Sequence, residues 1–321
     1  RLPGFRDPVA AEAWDACFRW REHGRVRDVT VAATWERVVA ALAREAAGHD
    51  TFARDLQDAL TWLRLLPDPR LLVALGTGRP IDPAACAVVV LNAAAFVRDP
   101  FGQRARLDLA GVEHAAGLAV RLLDRARAQA AGTPARAPVL RIGLIGVSDA
   151  LQRLGLAYDS GAGREEAVRI AAGLAHGALE ASLAAVAAGA PAVPRAAAAR
   201  AMAAELRYRG GAHAALTAIE RHPELALLAD NVGDAVDPID GQPRAYRIAS
   251  PAGERVVRSA GGSDALRREL GAPAIAAGWP PASAQLALRA AIAPWIDAPI
   301  DYPLATAQAD ATVHLRCLQT D

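Results

Sequence analysis

The sequence predicts a mainly α-helical protein with a few short strands, that is, an α+β fold. Apolar residues recur at helical spacing through most of the 321 residues, and only a few stretches, such as Ala87 to Leu91, are continuously apolar like buried strands. Hydrophobic residues make up 53% of the chain and aromatic residues only 5%, so we expect a core of Ala, Leu and Val. A chain of this length holds one large or two ordinary domains.

Three helices are predicted in the first seventy residues, because apolar side chains recur there every three or four positions. The apolar positions of the first helix, which begins near Pro8, are Trp14, Cys17, Phe18 and Trp20, and those of the second are Val31, Trp35, Val38, Val39 and Leu42. A break is expected at residues 24–30, and Thr30 or Thr34 can cap the second helix. The third helix is expected over residues 51–65, before the prolines at 67 and 69.

A strand-to-helix corner over residues 141–160 is the centre of the predicted fold. The apolar positions of the strand are Ile142, Leu144 and Val147, and those of the helix are Leu151, Leu154 and Leu156. Glycines at positions 143 and 146 allow other backbone to approach the strand closely. The corner is therefore expected to be buried.

Longer amphipathic helices are predicted on both sides of this corner. They span about residues 107–131, 164–188, 195–208 and 280–301. Alternating residues at 245–248 and 255–257 indicate a β-hairpin, and residues 310–315 are expected to form a last strand.

The net charge and the hydropathy pattern bear on three properties: nucleic-acid binding, membrane insertion and secretion. The net charge is +1, and all 36 basic residues are Arg, so no overall field attracts nucleic acid or an acidic membrane. The uncharged run over residues 83–97 is too short to span a bilayer. The first residues show no basic and apolar leader, so no secretory signal is expected.

The three cysteines lie far apart in the sequence, at Cys17, Cys86 and Cys317. They form no C-x-x-C pair, so neither a disulfide scaffold nor a thiolate zinc site is indicated. This usage predicts a reducing, cytoplasmic compartment.

Several segments, taken together, resemble one known family. The clearest is Arg141 to Ser160, which reads Arg-Ile-Gly-Leu, then Gly-Val-x-Asp-Ala-Leu, then Leu-Gly-Leu-x-Tyr-Asp-Ser. Further matching segments, in the same order as in the family, are Ala13 to Asp15, Thr34 to Ala43, Leu60 to Gly78, Ala84 to Gly102, His213 to Pro238 and Pro280 to Asp301. The chain resembles the large, catalytic subunit of ribonucleotide reductase, and its adenosylcobalamin-dependent branch in particular. The resemblance implies radical chemistry on a cysteine inside a ten-stranded barrel.

Three features of that family are missing from this sequence. The motifs at residues 84–91 and 91–101, which the family separates by about half of its barrel, are fused here. The family's radical cysteine lies in an Asn-x-Cys-x-Glu pattern, which occurs nowhere in this chain. Its Pro-Thr-Gly-Thr phosphate turn corresponds to Arg221-His222-Pro223-Glu224. The resemblance thus implies a helical remnant of the reductase fold that lacks most of the barrel.

Three residues are candidates for chemistry. The resemblance places Cys86 at the first member of the family's redox pair, whereas its apolar neighbours favour a small buried hydrophobe. His222 and Glu224 occupy the lost phosphate turn, where a capping or surface role is the alternative. Cys317 resembles a tail cysteine of the family but lacks the second member of that pair.

Other clusters indicate no specific site. The acidic run comprises Asp230, Asp234, Asp237 and Asp240. Its spacing is wrong for a calcium loop, so a solvated loop is expected. The seven histidines include no pair at helical metal-ligand spacing. The arginines at 195–209 suit an anion or nucleotide phosphate, although alternating Arg is also typical of an exposed helix face.

We therefore expect an N-terminal helical region at residues 1–70 and a reductase-like helical core with remnant strands at 71–321. The leading hypothesis is a catalytically degenerate binding or assembly protein with a nucleotide or other small-molecule pocket. It would act as a homodimer or with a reductase-type partner that covers the exposed barrel remnant. The alternatives are an adenosylcobalamin-dependent reductase component completed by a separately encoded partner, and an enzyme with a rebuilt pocket. Adenosylcobalamin is expected only if the family's activity is retained, and no metal site is expected.

Overall fold

The N-terminal region consists of helices around one short hairpin. This computed structural model describes residues 4–43, 51–130, 138–193, 210–250, 253–273, 279–307 and 313–315. The first elements are α1 (Pro8–Ala13), a π-helical turn (Trp14–Phe18), β1 (Arg21–Glu22), β2 (Arg25–Val26), α2 (Val31–Ala43) and α3 (Phe52–Thr61). The hairpin of β1 and β2 lies at the predicted break, and the N–H of Ala33 donates to Thr30 Oγ1 at 3.2 Å. The predicted second helix and its Thr30 cap are confirmed.

The third helix ends earlier than predicted. It stops at Thr61, and Leu63 adopts a left-handed backbone with φ +53°. The apolar residues that follow form β3 (Leu65–Pro67), whose three residues are all buried. Apolar periodicity does not distinguish the last turn of a helix from a short buried strand, which is why the predicted helix continued too far.

A four-stranded sheet lies at the centre of the described residues. After α4 (Pro69–Ala74) the remaining elements of this part are β4 (Val88–Asn92), β5 (Val97–Arg98), β6 (Arg106–Leu107), α5 (Leu109–Gln129), β7 (Val139–Ile145), α6 (Val147–Arg153), α7 (Gly161–Ala187) and β8 (Ala215–Thr217). The strand order is β3, β4, β7, β8; β3 is antiparallel to β4, and the other neighbours are parallel. The predicted buried strand before Asn92 is confirmed.

The strand before the corner, β7, ends two residues earlier than predicted, at Ile145. Gly146 adopts φ +67°, and Val147, expected at the end of the strand, begins α6. A side chain at Gly146 would lie 2.7 Å from Asn92 Oδ1. Of the three leucines predicted for the helix, only Leu151 lies on α6 and is buried; Leu154 and Leu156 follow its end and are half-buried, whereas Arg153 is buried. Arg153 donates to Ala94 O at 2.7 Å and to Ser263 Oγ at 3.0 Å.

The two long helices α5 and α7 pack closely against each other and against the sheet. At Gly177 an added Cβ would lie 2.0 Å from the carbonyl oxygen of Glu113, so only glycine permits this contact. α7 is long and apolar enough to cross a membrane, but half of its most apolar window is buried within the fold. We therefore assign it to the core.

The free edge of β8 is closed by the chain itself. The N–H groups of Leu216 and Thr217 donate to Asp297 Oδ2 at 2.8 and 3.1 Å. The N–H of Asp297 donates in turn to Thr217 Oγ1 at 2.9 Å. The sequence led us to expect that repacked helices or a partner would cover the sheet remnant; at this edge a single carboxylate satisfies the backbone.

The C-terminal elements complete the fold. They are α8 (Pro223–Leu228), β9 (Arg244–Ser250), β10 (Gly253–Ser259), α9 (Gly262–Glu269), α10 (Ala282–Ile292) and β11 (Val313–Leu315). β9 and β10 form the predicted hairpin, and β11 pairs with β9 in parallel. The described residues are thus mainly helical with a few short strands and no closed barrel, which confirms the predicted fold class. The predicted helix at 195–208 and Cys317 lie outside the described residues.

One expectation about the cysteines is wrong. Cys17 is disulfide-bonded, whereas Cys86 is free. Wide spacing in the sequence gave no sign of a disulfide, because the pairing depends on distance in space. The cytoplasmic location stays a prediction, and its argument from cysteine usage is weakened.

We predict that Asp297→Ala lowers the free energy of unfolding by about 2 kcal/mol, because two backbone donors of β8 lose their acceptor. Urea unfolding followed by circular dichroism measures the change. Asp301→Ala, at an exposed position of the same segment, is the matched control and should change stability by less than about 0.5 kcal/mol. Equal effects of the two variants would show that Asp297 does not secure the sheet edge.

Candidate binding pocket at the strand ends

A cavity of about 500 Å³ lies beyond the carboxyl ends of β7 and β8. In sheets with parallel strands, ligands bind preferentially at this edge. The cavity is lined by segments that follow these strands, including Asp149 after β7 and Arg221 after β8, and by the loop at residues 231–242. We call this cavity the strand-end pocket.

The acidic run is not a solvated loop as expected, because Asp234, Asp237 and Asp240 line this pocket and Asp230 is buried. Asp230 and Asp237 are only 5% and 8% exposed, and Asp234 and Asp240 are half-buried. The loop can turn inward because Asp230, Asn231 and Ala235 adopt left-handed backbone conformations. Burial is tolerated because backbone N–H groups and arginine side chains donate hydrogen bonds to the carboxylates.

Asp149 joins this loop to the corner after β7. The N–H of Gly233 donates to Asp149 Oδ2 at 2.7 Å, and the N–H of Gly146 donates to Gly233 O at 2.7 Å. The N–H of Ile239 donates to Ser148 Oγ at 3.1 Å. The start of α6 therefore fixes the floor of the pocket.

Asp234 occupies the turn at residues 221–224. The N–H of His222 donates to Asp234 Oδ1 at 2.7 Å. Burial raises the pKa of Asp234 to about 6, against the opposing effect of this hydrogen bond. The N–H of His222, just before α8, therefore already donates its hydrogen bond within the chain, to the Asp234 side chain.

Asp237 forms the second anchor of the pocket. Arg221 and Arg289 donate to its two carboxylate oxygens at 2.7 and 3.2 Å. Both guanidinium groups also face the ring of Tyr302, at 5.3 and 3.9 Å from its centroid. The Tyr302 hydroxyl has no hydrogen-bond partner among the described residues, and burial raises its pKa.

A strap of residues 302–306 forms another wall of the pocket. Gln285 on α10 binds the backbone of Ala305 in both directions, at 2.9 and 3.0 Å. Arg289 donates to the carbonyl oxygens of Tyr302 and Pro303 at 2.6 and 3.2 Å. Leu304 and Thr306 line the cavity, so α10 positions this wall.

The three predicted candidate residues do not converge on the pocket. Cys86 is fully buried before β4, its Sγ lies 3.6 Å from Asp82 O, and burial raises its pKa to about 11. The backbone turn of His222 and Glu224 borders the pocket, but their side chains do not line it. Burial lowers the pKa of His222; the negative charge of Asp68 opposes this shift, and the positive charge of Arg141 adds to it.

Sequence reasoning also missed a buried Ser, His and Asp cluster. His213 Nδ1 lies 2.9 Å from Ser182 Oγ, and His213 Nε2 lies 2.9 Å from Asp124 Oδ1. Ser182 and His213 are each only 1% exposed, so a substrate has no access to the hydroxyl. The cluster connects α5, α7 and the segment before β8, and we assign it a structural role.

The described residues contain no group of three or more His, Cys, Asp or Glu arranged to hold a metal ion. The carboxylates of the pocket are already engaged by N–H groups and guanidinium groups. The pocket can therefore offer hydrogen-bond acceptors to a small polar molecule, and its paired carboxylates disfavour an anion.

The comparisons give a distant structural neighbour and no family. No protein-family model matches the chain, and no curated protein matches it. Among solved structures 93 chains match. One is the alpha subunit of the class Id ribonucleotide reductase of Actinobacillus ureae, with 16% identity and a TM-score of 0.35; the match covers 48% of this chain and 28% of that subunit. This chain therefore matches less than a third of the subunit's length, and a TM-score at this level does not establish a shared fold.

We predict a pH dependence of stability that arises at Asp234. An unfolded Asp titrates near pH 4, whereas the folded Asp234 has a pKa of about 6. Between these values the folded state holds a proton that the unfolded state has lost, so this group makes stability fall as the pH rises. Asp234→Asn stays neutral, so its stability relative to the unmodified protein should rise by about 2 kcal/mol from pH 4 to pH 7.

Urea unfolding at the two pH values measures this difference. Asp159→Asn is the matched control, because Asp159 is exposed. A difference between Asp234→Asn and the unmodified protein that does not change with pH would contradict the assignment.

Proposed function

We propose that this chain is a catalytically degenerate relative of the ribonucleotide reductase large subunit that binds a small molecule in the strand-end pocket without reducing it. The observation that carries the proposal is the hydrogen bond from the N–H of His222 to Asp234 at 2.7 Å. By resemblance, this turn is where the reductase family binds the phosphates of its substrate. In this chain the side-chain carboxyl group of Asp234 accepts the hydrogen bond from the N–H of His222.

The charges around the turn support this proposal. Arg221, the nearest cation after β8, donates to Asp237 at 2.7 Å. A phosphate at the turn would have to displace Asp234 and would then lie among the carboxylates of the pocket, which is electrostatically unfavourable. A ligand without phosphate meets no such barrier, since it can donate hydrogen bonds to these oxygens.

The described cysteines also support a loss of reductase chemistry. Such chemistry needs a thiol that reaches the substrate, together with an acid and an amide. Cys17 is disulfide-bonded, and Cys86 is buried outside the pocket with a raised pKa that favours the thiol. The pocket lining contains no cysteine that could receive a radical, so these residues do not fit adenosylcobalamin chemistry.

The partner and the compartment belong to the same proposal. Under it the chain acts as a homodimer or in complex with a reductase-type partner in the cytoplasm. Because Asp297 already caps β8, this partner is not required to complete the central sheet.

A turnover assay tests the loss of catalysis. We expect no deoxyribonucleotide above the blank when the chain is incubated with adenosylcobalamin, dithiothreitol and the four ribonucleoside diphosphates or triphosphates. Mass spectrometry detects the products. Formation of a deoxyribonucleotide that Cys86→Ala abolishes would overturn the proposal and favour a retained reductase activity.

A binding assay tests the pocket itself. The probes are the four ribonucleosides, which lack phosphate, measured by isothermal titration calorimetry. Thr306→Trp should weaken binding at least tenfold because Thr306 lies at the exposed rim of the pocket. Ala307→Trp is the control, since Ala307 is exposed but does not line the pocket. Absence of nucleoside binding, or equal loss in both variants, would contradict a pocket for such ligands.

A further inference from the structure

A second cleft, of about 480 Å³, lies between the segment before α1, the end of β10, and α9. Its lining includes three arginines, Arg6, Arg258 and Arg268, and one acidic residue, Glu269. We call it the arginine cleft. Its excess of guanidinium groups contrasts with the carboxylates of the strand-end pocket.

The three arginines differ in the hydrogen bonds and ion pairs that their side chains already form. Arg6 donates to Glu269 Oε2 at 3.1 Å, and Arg268 donates to Asp264 Oδ2 at 2.9 Å. Arg258 is exposed and forms no hydrogen bond or ion pair with the described residues. The cleft therefore contains one uncompensated guanidinium group beside two that are partly neutralised.

Buried hydrogen bonds fix the backbone that carries the cleft. The N–H groups of Arg6 and Asp7 both donate to Asp230 Oδ1, at 2.7 and 2.9 Å. The Ser259 hydroxyl donates to Asp7, and its Oγ accepts the N–H of Gly261 at 3.0 Å. Arg6 and Arg258 therefore project from segments that this network holds together, so little order must be gained when an anion binds.

The acidic groups behind the cleft do not fill it. Asp7 is 1% exposed and does not line the cleft. Asp230, also buried, accepts two backbone N–H groups, and its Oδ2 lies 3.8 Å from Arg6 Nη1. Only Glu269 faces the cleft, so an anion that enters meets three guanidinium groups and one carboxylate.

We propose that the arginine cleft binds the phosphoryl group of a small phosphate-bearing molecule. Guanidinium groups bind phosphate oxygens through paired, charge-assisted hydrogen bonds, and Arg258 is free to form them. The proposal is independent of the function proposed for the strand-end pocket, since the two cavities have different linings and opposite charge.

The test measures binding of orthophosphate, pyrophosphate and ribose 5-phosphate to the full chain by isothermal titration calorimetry at 150 mM salt. At least one of these should bind, and Arg258→Gln should weaken that binding at least tenfold. Tighter binding of ribose 5-phosphate than of orthophosphate identifies a phosphate ester as the ligand class, and the reverse identifies inorganic phosphate.

Arg255→Gln is the matched control. Arg255 lies on the same strand, is exposed and pairs with Glu12 at 2.8 Å, but does not line the cleft. We expect its affinity to stay within twofold of that of the unmodified protein. Absence of binding by all three probes, or equal weakening by the two substitutions, would overturn the proposal. Nucleoside binding in the strand-end pocket should be unchanged in Arg258→Gln, which separates this test from that of the proposed function.

Discussion

The hydrogen bond between the N–H of His222 and Asp234 is the interaction on which the proposed site depends. It fixes the start of α8 against the loop at residues 231–242, and the bond from Gly233 to Asp149 fixes the other end of that loop against the corner after β7. These two bonds turn an acidic segment inward at the carboxyl ends of the parallel strands. The pocket is therefore built from carboxyl groups where the resemblance implies a phosphate turn.

The two cavities have linings of opposite charge. On one side, Asp149, Asp234 and Asp237 face the strand-end pocket, each engaged by N–H groups or arginines. On the other, the network around Asp7 and Asp230 supports the arginine cleft. Carboxyl groups thus organise both sides: all of those named except Asp237, which binds two arginines, accept backbone N–H groups that the irregular loops leave without partners.

The long helices and the buried strand of the sheet were predictable from sequence, because their apolar periodicity extends over many residues. Short elements were not: β3 was taken for the end of a helix, and Val147 for the end of a strand, since both decisions depend on contacts distant in sequence. The acidic run was misjudged for the same reason. Arg289, a partner of Asp237, and the N–H groups of Arg6 and Asp7, the partners of Asp230, lie more than fifty residues away in the sequence, and nothing in the run itself indicates them.

The central claim is that Asp234 occupies the position of an external anion. The most direct measurement is a pair of crystal structures, of the unmodified protein and of Asp234→Ala, both soaked in sulfate. We predict a sulfate within hydrogen-bonding distance of the His222 N–H in the variant and none there in the unmodified protein. A sulfate bound to that N–H in the unmodified protein, with Asp234 displaced, would contradict the account.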